Sequence, residues 1–160
     1  MRIDRDNFSS TYDKYKNTVY SVIFNYVRNR DDAMDLMQEV FIKLLGSSME
    51  FDSEEHVKAW LIRVSSNLCK NHLRDQNHYS DEEVPEQPYY DTYNEGDSLL
   101  EYVLKLPEKY RVPIHLFYYE DFSTRQIAET LDIPEATVRI HLKRGREKLK
   151  KLLKDVDLHE

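Results

Sequence analysis

The stretch from Gln76 to Asp97 constrains the fold of this chain more than any other feature. It contains Pro85, Pro88 and Gly96, the seven acids Asp81, Glu82, Glu83, Glu86, Asp91, Glu95 and Asp97, no Lys or Arg, and almost no aliphatic residue. Such a composition buries too little apolar surface to offset the entropy of ordering the backbone, so an acidic flexible linker is expected. Three tyrosines in it, Tyr89, Tyr90 and Tyr93, suggest that part of it rests on a surface. The 160 residues therefore divide into expected domains at 1–75 and 97–160, with the linker at 76–96. Each piece is long enough for one small domain and no more.

Charge follows the same partition. Residues 1–75 hold 11 bases against 12 acids, residues 76–98 no base against 7 acids, and residues 99–160 hold 12 bases against 11 acids. The overall −7 thus belongs to the linker and does not argue against a polyanionic partner for either flanking piece. Between Thr137 and Lys154 there are eight bases and one acid, Glu147, a local +7 suited to phosphates.

Both pieces carry the helical period. Phe8, Tyr12, Tyr15, Val19, Val22, Ile23 and Tyr26 recur at mostly three- and four-residue steps. A second helix, which Asp31 can cap, has the stripe Ala33, Met37, Val40, Phe41 and Leu44 and ends at Gly46-Ser47. A third begins near Asp52 or Ser53, has Val57, Trp60, Leu61, Val64 and Leu68 as its expected core face, and runs to about Arg74. With only 3 Gly and 5 Pro in the chain, hairpin-rich folds are disfavoured, and the expected class is all-α.

In the second piece, Leu99, Leu100, Val103 and Leu104 mark a short helix stopped by Pro107. Another runs over Glu108–Glu120 with Val112, Leu116, Phe117 and Tyr119, where Pro113 predicts a kink or a late start. Ser123-Thr-Arg-Gln126 is a capping box, followed by Ile127, Ala128 and Leu131, the turn Asp132-Ile-Pro134 and a long helix from about Glu135. This is a helix-turn-helix pattern. The last helix packs through Val138, Leu142, Gly145, Leu149 and Leu152, while Arg139, Lys143, Arg146 and Lys150, with Arg144 beside them, occupy another side. Arginine there can form paired hydrogen bonds with guanine, and lysine can meet phosphate.

The third helix carries a second polar stripe, His56, Arg63, Asn67, Lys70 and Arg74, within roughly 60° of one direction at about 100° per residue. Such a face can meet base edges, with Trp60, Phe51 or Phe41 as candidates to stack unpaired bases. Trp60 also has core spacing. The acids Asp31, Asp32, Asp35 and Glu39 read as complements to a helix dipole. The histidines are dispersed and Cys69 is the only cysteine, so no metal site, disulfide or cofactor is expected. No phosphate loop or nucleophile motif is present, and no catalytic residue is assigned. No apolar run suits a signal peptide or a membrane span, so a cytoplasmic protein without membrane insertion of its own is expected.

In order, the segments Asp31-Asp-Ala-Met-Asp-Leu-Met-Gln-Glu-Val-Phe41, Lys58-Ala-Trp-Leu-Ile-Arg-Val-Ser-Ser-Asn-Leu68, Leu106-Pro-Glu-Lys-Tyr-Arg111, Gln126-Ile-Ala-Glu129 and Thr137-Val-Arg139 resemble the bacterial extracytoplasmic-function (ECF) sigma factors of RNA polymerase. The resemblance implies a promoter-specificity subunit with two sigma domains, the second and the fourth, directing transcription initiation in a stress or envelope response. It implies core RNA polymerase, promoter DNA and an anti-sigma factor as partners. Asp35, Gln38 and Glu39 would dock on core polymerase around an apolar patch including Leu36 and Phe41. His56, Trp60, Arg63, Asn67, Lys70, Asn71 and Arg74 would capture the melted minus-ten strand, with the turn 47–55 forming a pocket for a flipped base. Thr137, Arg139, Ile140, Lys143 and Arg144 would read the minus-thirty-five duplex. The linker would either occupy the path of nascent RNA or serve as a soluble spacer.

Two departures from the family pattern stand out: Ile140-His141 where Ser-Arg is common, and Gly145 where Ala is usual. On the residues alone, a helix-turn-helix regulator binding a duplex operator as a dimer, or an adaptor without nucleic acid, remains an alternative.

Overall fold

The computed structural model describes residues 1–76 and 99–158. The expected linker, apart from Gln76, lies outside the described residues, as do its three tyrosines. The described residues form seven helices, with one isolated β-bridge between Arg2 and Glu50, so the all-α expectation holds. They belong to two compact units, described separately below.

The first unit comprises α1 (Phe8–Val27), α2 (Arg30–Gly46) and α3 (Glu54–Gln76), each packed on the other two. Helix α1 is the hub. Val19 to Val27 are all buried, and the helix stops at Arg28, whose φ of 51° breaks the hydrogen-bond ladder. Asn29 then caps α2, its side chain accepting from the Asp32 N–H at 2.9 Å. Asp31, expected as the cap, instead lies in the first turn, where its charge faces the positive end of the helix dipole. The core stripe of α2 is as expected, with Ala33, Met37, Val40, Phe41 and Leu44 at 0–3% exposure.

Ser53 starts α3, its Oγ accepting from the His56 N–H at 3.1 Å. The buried face of this helix is rotated from the expected one. Val57 and Leu61 are buried, but so are Ile62, Ser65, Ser66 and Cys69, whereas Trp60, Val64 and Leu68 are half-buried. Small residues at 65, 66 and 69 let α3 lie against its neighbours without a large apolar stripe, which is why apolar spacing alone pointed one step away. Their polarity is satisfied locally: Ser65 Oγ donates to the Leu61 carbonyl at 2.6 Å, and Ser66 shares a buried hydroxyl contact with Tyr26.

The second unit comprises α4 (Leu99–Val103), α5 (Glu108–Tyr118), α6 (Thr124–Leu131) and α7 (Glu135–Leu158). Helix α5 starts at Glu108 and runs through Pro113, so the late start does not occur. Proline at the sixth position withholds one N–H, and burial of Tyr110 through Leu116 compensates for the loss. Arg111, fully buried, donates from Nη1 to the Leu106 carbonyl at 2.8 Å and fixes the turn before α5. The Leu106–Arg111 motif is therefore architectural. His115 and Glu120, also buried, meet at 3.0 Å and close the turn toward α6.

Candidate nucleic-acid interface

The helix-turn-helix is built as its sequence requires. Ser123 Oγ accepts from the Gln126 N–H at 3.1 Å while Gln126 Oε1 accepts from the Ser123 N–H at 2.9 Å, completing the capping box. Asp132, at φ 57°, ends α6, and Pro134 sits just before α7, where its missing N–H is harmless. Helix α7 inserts Val138, Leu142 and Gly145 into the core, with Leu149 and Leu152 half-buried.

Gly145 has a specific reason to be glycine. A Cβ there would lie 2.4 Å from Ile114 Cδ1 and 3.3 Å from Tyr110 Cβ, so α7 approaches α5 too closely for alanine without a shift. The departure from the family's usual alanine is thus matched by a close helix crossing.

Arg139, Ile140, Lys143 and Arg144 are exposed and Thr137 is half-buried, all on the first turns of α7. Arg146 and Lys150 continue the basic face, and Arg146 Nη1 donates to the Tyr118 hydroxyl at 3.2 Å. His141 flanks this face with its ring edge against Tyr110. Burial, followed by the charges of Lys109 and Arg144, holds its pKa below the ordinary histidine value. The imidazole therefore contributes no positive charge near neutral pH.

In the first unit, Arg63, Asn67, Asn71 and Arg74 are exposed on α3, with Lys70 half-buried among them. Trp60 is half-buried and packs edge-to-face with Phe51, ring centroids 5.8 Å apart, so part of the indole faces solvent. Phe51 and Phe41, considered as stacking platforms, are 2% and 3% exposed and belong to the core. His56 supports the turn, since Nδ1 accepts from the Asp52 N–H at 3.0 Å and the ring meets Phe51 at 5.1 Å. That hydrogen bond commits the acceptor nitrogen and leaves Nε2 for other contacts. Glu54, in the first turn of α3, accepts from the Tyr15 hydroxyl at 2.6 Å and from Lys14 at 3.1 Å; these two bonds hold its carboxyl below the usual range.

On α2, Asp35, Gln38 and Glu39 are exposed as expected of a contact surface, but Leu36 and Phe41 are 6% and 3% exposed. Both side chains fill the bundle and present little surface, unlike the exposed patch expected of them. The apolar residues that do face outward are Ile42, at 69% exposure, and Leu45, at 44%. At about 100° per residue, Ile42 lies opposite the Ala33–Leu44 stripe, a signal available in the sequence but missed. Among the described residues, no group of three or more His, Cys, Asp or Glu is placed to hold a metal ion, and no helix is long and apolar enough to cross a membrane.

A three-helix unit with a polar outer stripe, followed by a unit ending in a helix-turn-helix, is the arrangement that comparison with known proteins assigns to the sigma-70 class. Residues 11–79 match Sigma-70 region 2 and residues 96–149 match Sigma-70, region 4. The chain is 31% identical over 172 residues to the ECF RNA polymerase sigma factor SigW of Bacillus subtilis, covering 96% of this chain and 92% of that protein. It is 30% identical over 164 residues to the ECF RNA polymerase sigma-E factor of Haemophilus influenzae, covering 90% and 86%. Its fold is similar to that of the sigma factor RpoE of Bartonella quintana, solved in complex with the anti-sigma factor NepR, with a TM-score of 0.73 at 20% identity over 92% of this chain and 97% of that one. The chain belongs to the ECF sigma factors of RNA polymerase, non-enzymatic subunits that direct transcription initiation.

Proposed function

We infer that this sigma factor divides promoter recognition between domains at 1–75 and 97–160 joined by the 76–96 linker, acting in the cytoplasm in a stress or envelope response. In this reading the outer face of α2 docks on core polymerase through Asp35, Gln38 and Glu39, with Ile42 and Leu45 as the apolar centre. The α3 stripe with Trp60, Arg63, Asn67, Lys70, Asn71 and Arg74 captures the melted minus-ten strand, where stacking on half-exposed aromatic surface offsets the loss of base pairing. His56 supports that turn. The first turns of α7, with Thr137, Arg139, Ile140, Lys143 and Arg144, read the minus-thirty-five duplex.

The observation that carries this reading is the exposed basic start of α7, set on a capped helix and turn, within a chain of the sigma family. An anti-sigma factor as regulator is supported by the complex in which the similar RpoE structure was solved. Purified protein mixed with core polymerase and a promoter library should co-elute with core and start transcripts at a defined pair of elements. Tight binding of a palindromic duplex by the free protein, without core, would instead establish the dimeric regulator.

A further inference from the structure

The recognition helix begins with an acid that its proposed role does not use. Glu135 opens α7, and its Oε1 accepts a hydrogen bond from the Thr124 hydroxyl of α6 at 2.8 Å and forms an ion pair with Arg139, 3.1 Å from Nη1. The Glu135 and Arg139 side chains remain 42% and 60% exposed. An exposed ion pair of this kind adds little to stability, on the order of half a kcal/mol. Its geometric effect is larger. Thr124 anchors the carboxylate to the supporting helix, and the carboxylate in turn restricts the long Arg139 side chain on the face directed at DNA.

We propose that Glu135 is a positioning residue that holds Arg139 for base reading and away from phosphate. This rests on the reading of Arg139 as a base contact. An unrestrained arginine at the mouth of a groove is drawn to phosphate, which attracts it at every sequence alike. A carboxylate beside it cancels part of that attraction and repels phosphate itself, so the guanidinium is favoured where a guanine edge presents two acceptors. The pair strengthens when DNA displaces water from around it, because the local dielectric falls. Thr124 makes the arrangement depend on both helices of the motif, coupling the supporting helix to base choice.

The test uses holoenzyme and compares Glu135→Gln, Thr124→Val and Arg139→Ala on promoters randomised through the upstream element, at several salt concentrations. Glutamine keeps an acceptor for Thr124 and the fold while removing the charge. Glu135→Gln is expected to reduce discrimination about fivefold at the base pair where Arg139→Ala relaxes it, and to steepen the slope of log affinity against log salt by about 0.9 as Arg139 moves to phosphate. Thr124→Val should shift the same position in the same direction by less. If Arg139→Ala relaxes one position while Glu135→Gln weakens every promoter equally, Glu135 merely supports the helix and the inference falls alone. If Arg139→Ala changes no base preference, the reading of Arg139 falls and takes the inference with it.

Discussion

Replacing Gly145 by alanine sets two opposed effects of known size against each other. In an exposed helix the change gains about 0.8–1.0 kcal/mol, because glycine loses more backbone entropy on folding. Here the new Cβ meets Ile114 Cδ1 at 2.4 Å, about 1 Å inside ordinary contact, so Ile114, 2% exposed, must turn its terminal methyl toward the cavity it lines with Tyr118 and Leu149. Overpacking of this kind costs about 1–3 kcal/mol, so Gly145→Ala should leave the second unit less stable by up to about 2 kcal/mol. Ile114→Val removes the clashing Cδ1 at a cost of about 0.5–1.5 kcal/mol. In that background the alanine should be neutral or stabilising, the remaining contacts being 3.3 Å from Ile114 Cγ1 and Tyr110 Cβ. Urea denaturation followed by far-ultraviolet circular dichroism on the four proteins of the cycle measures the coupling. If Gly145→Ala raises the midpoint in the parent protein, or if the two changes are additive, close approach does not explain the glycine.

Three further outcomes follow from burial and charge. Leu36→Ala should cost about 2–5 kcal/mol of stability through a cavity, whereas Ile42→Asp with Leu45→Asp should leave the melting curve nearly unchanged and abolish co-elution with core polymerase; intact co-elution of the double variant would remove α2 as the docking face. Asn67→Ala should slow open-complex formation on duplex promoter, with only partial recovery on a pre-melted bubble; full recovery would exclude base capture by this side chain. Glu54 has a carboxyl held low by Tyr15 and Lys14, so its contribution is present above the unfolded value of about 4.3 and disappears as pH falls through the lower folded value. The stability difference between Glu54→Gln and parent should therefore be present at pH 7, at about 1 kcal/mol or less for so exposed a group, and shrink as acidification takes the pH down through the lowered folded value; a difference constant with pH would show that charge plays no part.

What the sequence made legible follows the strength of each physical signal. The α2 core stripe and the Ser123 capping box are dictated by spacing and by one side chain finding one N–H, and both appear as read. The α3 face was misjudged because its core is made of Ser65, Ser66 and Cys69, residues that apolar counting passes over. Burial on α2 was hard to read for a related reason: Leu36 and Phe41 look like a surface apolar patch in one dimension, but the same two turns must also fill the bundle, leaving Ile42 and Leu45 outside. Arg139 was legible as part of a basic face, but its link through Glu135 to Thr124 was not, because Thr124 lies eleven residues from Glu135 and only the turn between α6 and α7 brings them together.

The hydroxyl contact between Tyr26 and Ser66 bears on how new promoter preferences could arise in such a protein. Turning α3 by a single residue would swing Ser66 away from Tyr26 and drag Asn67 inward, leaving two polar groups in an apolar interior. The buried Tyr26–Ser66 contact thus favours the observed rotational setting of α3 from within, independent of the residues on its outer face. Residues 63, 67, 70, 71 and 74 can consequently be exchanged as a block, as type is reset in a locked frame. On the proposed minus-ten role, variation there is expected to change promoter preference, while variation at Tyr26 or Ser66 is expected to weaken every promoter alike.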